Sequence, residues 1–260
     1  MRMHNGSPIF TRFRLVSDPD LDGLLSNCRV RVHSRARHVR LRLDPREGLI
    51  VTVPPRFDQR RLPGLLLSKA DWIRQVALRH NSVRSAGDPE ARGKRPSRVI
   101  LPALGCCWEV VYQHKAGQRL LFTEDRERLL LGLPNVPADT LNERIGLRLR
   151  RWLMDQAYDF LSVRVAALAK DYALAYRGLR IRNQRARWGS CSTSGDLSLN
   201  ARLLFCSPAA CDYVITHELV HTRHPNHSPD FWSDVAELMP DYRSRQDSLK
   251  QVWLSLPDWV

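Results

Sequence analysis

Two apolar spacings divide the chain into strands and helices. In CRVRVHSRARHVRLRLDPREGLIVTVPP, Cys28 to Pro55, apolar and basic residues alternate around a polar break at Asp44 to Gly48. Alternate side chains of a strand point to opposite faces, so this pattern predicts a β-hairpin. Val39, Leu41 and Leu43 share one face, and Leu49, Val51 and Val53 return beside them. The spacing then changes to three and four. Leu62, Leu65, Leu66, Trp72, Ile73 and Val76, with the stem of Lys69, predict an amphipathic helix. Pro63 fits it only near the first turn. The polar run NSVRSAGDPEARGKRPS, from Asn81, reads as a linker or exposed loop.

Four short apolar runs between Val99 and Leu133 predict a small antiparallel meander. From Pro137 to Asp139 a long helical pattern opens, through Leu141, Ile145, Leu149, Trp152, Phe160, Val163, Ala167 and Leu168. It runs to near Leu174 as one helix or two. GLRIRNQ and GDLSLNARLLF are strand candidates around the polar turn RWGSCSTSG, in which Trp188 is expected in the core. The segment Leu197 to Leu199 is a candidate sheet edge for an extended peptide, with Asn200 at its end as a contact. Ser207–Pro208 and Ser228–Pro229 each place an N-capping hydroxyl before a proline at the first helical position. The second of these begins a last core helix through Phe231, Trp232, Val235 and Leu238. The fold class that follows is α+β. Its expected divisions are an extension over 1–27, a basic β-rich region with a helix over 28–133, and a core over 134–260.

Composition narrows the function classes. The chain has 260 residues, 43% of them hydrophobic, enough for a sizeable core. No apolar run approaches the roughly 18 residues of a membrane span. The N-terminus lacks the apolar h-region of a secretory signal. The expected compartment is therefore the cytoplasm, where six cysteines without a C-x-x-C pair read as reduced, mostly buried thiols. The net charge of +14 is uneven: residues 1–100 hold 21 basic and 9 acidic side chains, residues 181–260 hold 8 and 9. A basic N-terminal half can attract a nucleotide or nucleic acid. Arginine outnumbers lysine 36 to 5, which also fits a general arginine bias.

The candidate chemistry lies in the near-neutral C-terminal part. DYVITHELVHTRHPNHSPDFW, Asp212 to Trp232, holds four of the nine histidines. On a helix, His217 and His221 of HELVH lie on one face, about 5–6 Å apart between Cβ atoms. Both imidazoles then reach one Zn²⁺, with Glu218 beside it as general base. A catalytic zinc needs a third protein ligand. Pro225 ends the helix, and a turn at HPNH can fold His227 back toward the pair; Glu237 on the following helix is the alternative. His224 is assigned to the rim, and Asn226 to orienting His227. Arg187 is a candidate contact for a substrate carbonyl or phosphate.

RWGSCSTSGDLSLNARLL, DYVITHELVH, NHSPDFW and the Pro-Asp-Tyr at Pro240 together resemble the YgjP-like metallopeptidase family, which is related to SprT-like and WLM zinc proteases. RVHSRARHVRLRLDPREGLIVTVPP and ADWI at Ala70 to Ile73 resemble its opening. The resemblance covers most of the chain. It implies a zincin-like core, one Zn²⁺ on His217, His221 and His227, and Glu218 as base. It also implies a peptide or protein substrate and no membrane. Two rival readings keep the metal: a nucleotide or phosphoester hydrolase, and a SprT-like protease acting on DNA-associated proteins.

Overall fold

The computed structural model describes residues 9–10, 28–44, 48–77 and 93–260. Most of the expected 1–27 extension, the tip of the predicted hairpin and the polar stretch up to Arg92 lie outside these residues. Contacts divide the chain into two compact units, Met1–Ala86 and Gly87–Val260.

The first unit is a four-stranded sheet in the order β1-β2-β4-β3. Its strands are β1 (Ile9–Phe10), β2 (Arg29–Val32), β3 (Arg40–Asp44) and β4 (Gly48–Val53). The predicted hairpin is β3–β4, with Leu41 opposite Val51 and Leu43 opposite Leu49. Its third partner was not predicted: β2 runs parallel to β4, pairing Val30 with Val51 and Val32 with Val53. One sheet face therefore carries Val30, Val51, Val53 and Leu49. It packs on Leu62, Leu66 and Ile73 in one apolar cluster. Leu62 and Leu66 belong to α1 (Leu62–Ser68), which has Pro63 in its first turn. Helical backbone resumes at 70–77 after Lys69, where Ile73 is buried and Trp72 stays 42% exposed. The opposite face reads across as Arg29–Ile50–Arg42 and Arg31–Thr52–Arg40, two rows with arginine at both ends.

The second unit begins with β5 (Arg98–Leu101), β6 (Cys106–His114), β7 (Leu121–Asp125) and β8 (Arg128–Leu133). The predicted antiparallel meander is a mixed sheet in the order β5-β6-β8-β7, with β6 and β8 parallel. Strand β8 buries Leu129, Leu131 and Leu133 and takes an interior position, while LFTED of β7, mostly exposed, takes an edge. This sheet shares its core with α2 (Ala138–Asp171). Trp108 of β6 meets Trp152 of α2 edge to face at 5.1 Å. Both indole N–H groups donate to the Glu124 carboxylate of β7, at 3.1 and 2.9 Å.

Helix α2 is one unbroken element of 34 residues. Its second half buries Ala157, Leu161, Val165 and Leu168. The predicted core residue Val163 is 71% exposed, because the buried stripe drifts around a helix of this length. Strands β9 (Gly178–Arg182), β10 (Gly189–Cys191) and β11 (Asp196–Asn200) follow. Then come α3 (Pro208–Val220), α4 (Pro229–Leu238) and α5 (Tyr242–Ser255). Helix α5 corrects the expectation that α4 is the last. The cysteines are all free; Cys28, Cys206 and Cys211 are buried, Cys191 is half-buried, and Cys106 and Cys107 are exposed, against the expectation of mostly buried thiols. Among the described residues no helix is long and apolar enough to cross a membrane.

Candidate active site

Helix α3 carries HELVH, and its start is the predicted one. Ser207 caps it, its hydroxyl accepting from the Ala210 N–H at 3.2 Å, and Pro208 holds the first helical position. The helix is apolar on almost every side, with Tyr213, Val214, Ile215, Leu219 and Val220 all buried. A helix buried all round is fixed by packing rather than by an amphipathic stripe. Arg164 of α2 adds a two-pronged ion pair to Asp212, both contacts 2.7 Å. His221 is the C-cap, and its N–H bonds the His217 carbonyl at 3.3 Å. The chain then turns through Thr222 to His224, ahead of Pro225.

This turn returns His227 to the helix. Its Nε2 lies 3.0 Å from His217 Nε2 and 3.2 Å from His221 Nε2. These three side chains form the only group among the described residues whose donor atoms could hold a metal ion. Nitrogens bound at 2.0–2.1 Å to a tetrahedral zinc lie about 3.3–3.4 Å apart, so the donor set fits such an ion. The imidazoles of His217 and His221 are also in the right state. His221 Nδ1 faces the His224 carbonyl at 2.9 Å. A carbonyl only accepts, so Nδ1 carries the proton and the Nε2 lone pair points at its partners. Burial, with the neighbouring imidazoles of His221 and His227, pushes His217 down to about 3. Burial lowers His221 as well. Neutral imidazole is the ligand form.

Glu218 is buried, 6% exposed. Burial pushes it up to about 7, against the opposing field of Arg187. What confines it is β10: a Cβ built on Gly189 would stand 2.7 Å from both Cγ and Oε1 of Glu218. The sheet order is β10-β11-β9, with β10 antiparallel and β9 parallel to β11. Strand β11 is therefore central, which corrects its assignment as an edge; among the described residues the unpaired edge beside Glu218 is β10.

Of the other predicted site residues, exposed Arg187 stands where its charge reaches Glu218. Asn200 is fully buried. Its amide donates to the Gln184 and Arg187 carbonyls at 2.8 Å each, and its Oδ1 accepts from the Arg202 N–H at 3.1 Å. It fastens the loop before β10, and its side-chain oxygen and nitrogen are both engaged with backbone groups. Trp188 is half-buried, edge to face with Trp253 of α5 at 4.6 Å. His224 turns away to Asp234, Nε2 to Oδ2 3.0 Å. Glu237 is exposed and outside the imidazole group. Asn226 is exposed and makes no hydrogen bond to His227; the Trp232 ring stacks there instead, at 5.6 Å and 23°. The sequence pattern reads Trp232 and Phe231 as core and Gly189 as a turn residue, and so misses their place at the site. The dipeptide after Ser228–Pro229 was the available signal, since the first turn of α4 directly follows His227.

A family model described as YgjP-like, metallopeptidase domain, matches residues 37–252. Comparison with curated proteins finds no match. Among solved structures, the metallopeptidase zymogen of Pyrococcus abyssi abylysin is similar at 18% identity and a TM-score of 0.34, over 38% of this chain and 99% of that one.

Proposed function

Because the chain belongs to the YgjP-like metallopeptidase family, we propose that it is a zinc-dependent peptidase with a zincin-like core, in which His217, His221 and His227 hold one Zn²⁺ and Glu218 is the general base. The observation that carries the reading is the convergence of three Nε2 atoms, with the buried carboxylate of the residue next to His217. Zinc, when bound, supplies a Lewis acid that polarises a carbonyl and makes water more acidic. The chain's own residues do the rest. Glu218 takes the proton of the attacking water on a carboxylate oxygen and returns it to the leaving amine. The free edge of β10 pairs with an extended peptide through backbone hydrogen bonds. Arg187 faces the carbonyl side of the cleaved bond.

The test compares zinc-loaded and metal-free protein on a library of unstructured peptides and, in parallel, on nucleoside triphosphates. Peptide cleavage lost on chelation and restored by zinc is expected. Hydrolysis of nucleotides alone would overturn the peptidase reading. Elemental analysis of His227→Ala should show zinc falling from about one per chain to near zero, with Glu237→Ala unchanged. Zinc retained in His227→Ala and lost in Glu237→Ala would reassign the third ligand.

A second reading, that the chain also binds a polyanion, draws on the arginine rows Arg29–Ile50–Arg42 and Arg31–Thr52–Arg40 of the first unit. Guanidinium groups repeated on one sheet face suit a phosphate backbone, and such binding weakens steeply with salt. Neutralising Arg31, Arg40 and Arg42 to Gln should weaken binding to DNA and flatten its salt dependence, by a log–log slope of about 0.9 for each phosphate no longer neutralised. Peptide hydrolysis should not change. DNA binding that needed Glu218 would instead place the nucleic acid in the active site.

A further inference from the structure

His227 is the one candidate ligand beyond α3 and its C-cap, and it is exposed. A metal-bound histidine usually donates its second ring N–H to a carboxylate or carbonyl, which fixes the ring. His221 has such a partner in the His224 carbonyl. His227 has none among the described residues. Its ring is held by a stack instead. His227 lies on Trp232 at 5.6 Å and 23°. Trp232 lies on Tyr242 at 5.5 Å and 24°. Tyr242 lies on Tyr213 at 6.4 Å and 20°. Tyr213 is 3% exposed, on α3 one turn before His217, and meets the His217 ring edge-on at 5.8 Å. The rings thus run from α3 through α5 and α4 to the loop ligand, and the circuit closes at the 3.0 Å approach of His227 to His217.

We propose that Trp232, backed by Tyr242 and Tyr213, is the positioning residue for the third metal ligand, in place of a hydrogen bond to the second ring nitrogen. The proposal rests on the metal-site reading above. An offset indole nearly parallel to the imidazole limits its swing out toward solvent without a hydrogen bond to either ring nitrogen. The stack starts on the same helix as the other two ligands, so it references the loop to them. Phe231, the preceding residue, is fully buried and stacks on His221 at 4.5 Å and 30°. Phe231 also meets His217 and His227 edge to face, at 4.9 and 4.8 Å, so the first turn of α4 sets two rings against the three histidines, and Trp232 is the one whose plane lies along that of His227.

The test measures zinc affinity by competition with a chromophoric chelator, and the visible spectrum of the Co²⁺-loaded protein, for Trp232→Phe, Trp232→Leu and His227→Ala. The thermal midpoint of each metal-free variant is measured beside them. Trp232→Leu should weaken zinc by about 10–100-fold, the range for removal of an orienting partner, and should change the Co²⁺ spectrum. Trp232→Phe keeps a ring face and should stay within a few-fold of the parent. If Trp232→Leu does not fold, Tyr242→Leu removes the backing ring without touching His227 and should still lower affinity several-fold. Parent-like zinc affinity and Co²⁺ spectrum in a folded Trp232→Leu or Tyr242→Leu variant, with only the metal-free midpoint lowered, would mean that the stack is core packing and would overturn the proposal. Parent-like zinc affinity in His227→Ala would instead overturn the metal-site reading, so the two failures are distinguishable.

Discussion

Glu218→Gln should retain zinc and lose hydrolysis by about 10²–10⁴-fold, the usual contribution of a positioned general base. The amide keeps the size and shape that fit against Gly189 but cannot take a proton from water. The same substitution should stabilise the metal-free protein, which separates loss of the base from damage to the fold. Burial raises the carboxyl from 4.5 to about 7. Between those values the unfolded chain has released the proton that the folded chain still holds, so folding stability of the parent falls as pH rises through this window. Above it the charged, buried carboxylate costs on the order of 3–4 kcal/mol. Glu218→Gln has no such titration. Its advantage over the metal-free parent should be absent near pH 4 and full by pH 8, read from urea unfolding at each pH. Activity within a few-fold of the parent would sink the role of Glu218; a stability difference independent of pH would sink the account of its burial.

Gly189→Ala should be nearly as damaging, although it adds one methyl group outside the HELVH motif. The new Cβ would stand 2.7 Å from Glu218 Oε1 and Cγ and 2.9 Å from Cδ, well inside contact distance. Glu218 must then turn away or β10 must shift. Overpacking of this kind costs about 1–3 kcal/mol. A displacement of about 1 Å at a reacting group costs on the order of 10²-fold in rate. The expected result is kcat down by about 10–100-fold with zinc occupancy unchanged. Gly64→Ala is the control, since nothing lies within 4 Å of its added Cβ. Unchanged kcat in Gly189→Ala would mean that the contact does not set the carboxylate's position.

Much of the site was legible because its signals are local. Ser207–Pro208 and Ser228–Pro229 announce two helix starts within one turn of sequence, and HELVH needs only the helical repeat to bring two imidazoles together. His227 was within reach because a turn at HPNH can bring it back, although the helix expected to run to Pro225 ends at Val220. The hairpin β3–β4 was legible for the same reason, an alternating pattern on both sides of a turn. What was missed depends on residues distant along the chain. The parallel pairs β2–β4, β6–β8 and β9–β11 leave no mark in the spacing of either partner. The interior place of β11 was hidden with them. Asn200 looked available because an asparagine ending a strand resembles a surface contact, yet its three hydrogen bonds go to backbone groups of neighbouring segments. The closeness of Gly189 to Glu218 is tertiary in the same way.

The free edge of β10 also bears on solubility. A strand edge left open for one peptide is open to any extended chain, including another copy of the same protein, and exposed edges are common sites of aggregation. Here the strand is three residues long, Gly189–Cys191, and includes a glycine and a serine. It presents too little backbone to template a growing sheet, and its lack of bulky apolar side chains leaves little to zip against. Brevity is how such an edge stays usable without becoming sticky. The same brevity keeps backbone pairing weak, so a peptide that binds there must be selected by side-chain contacts beyond the strand.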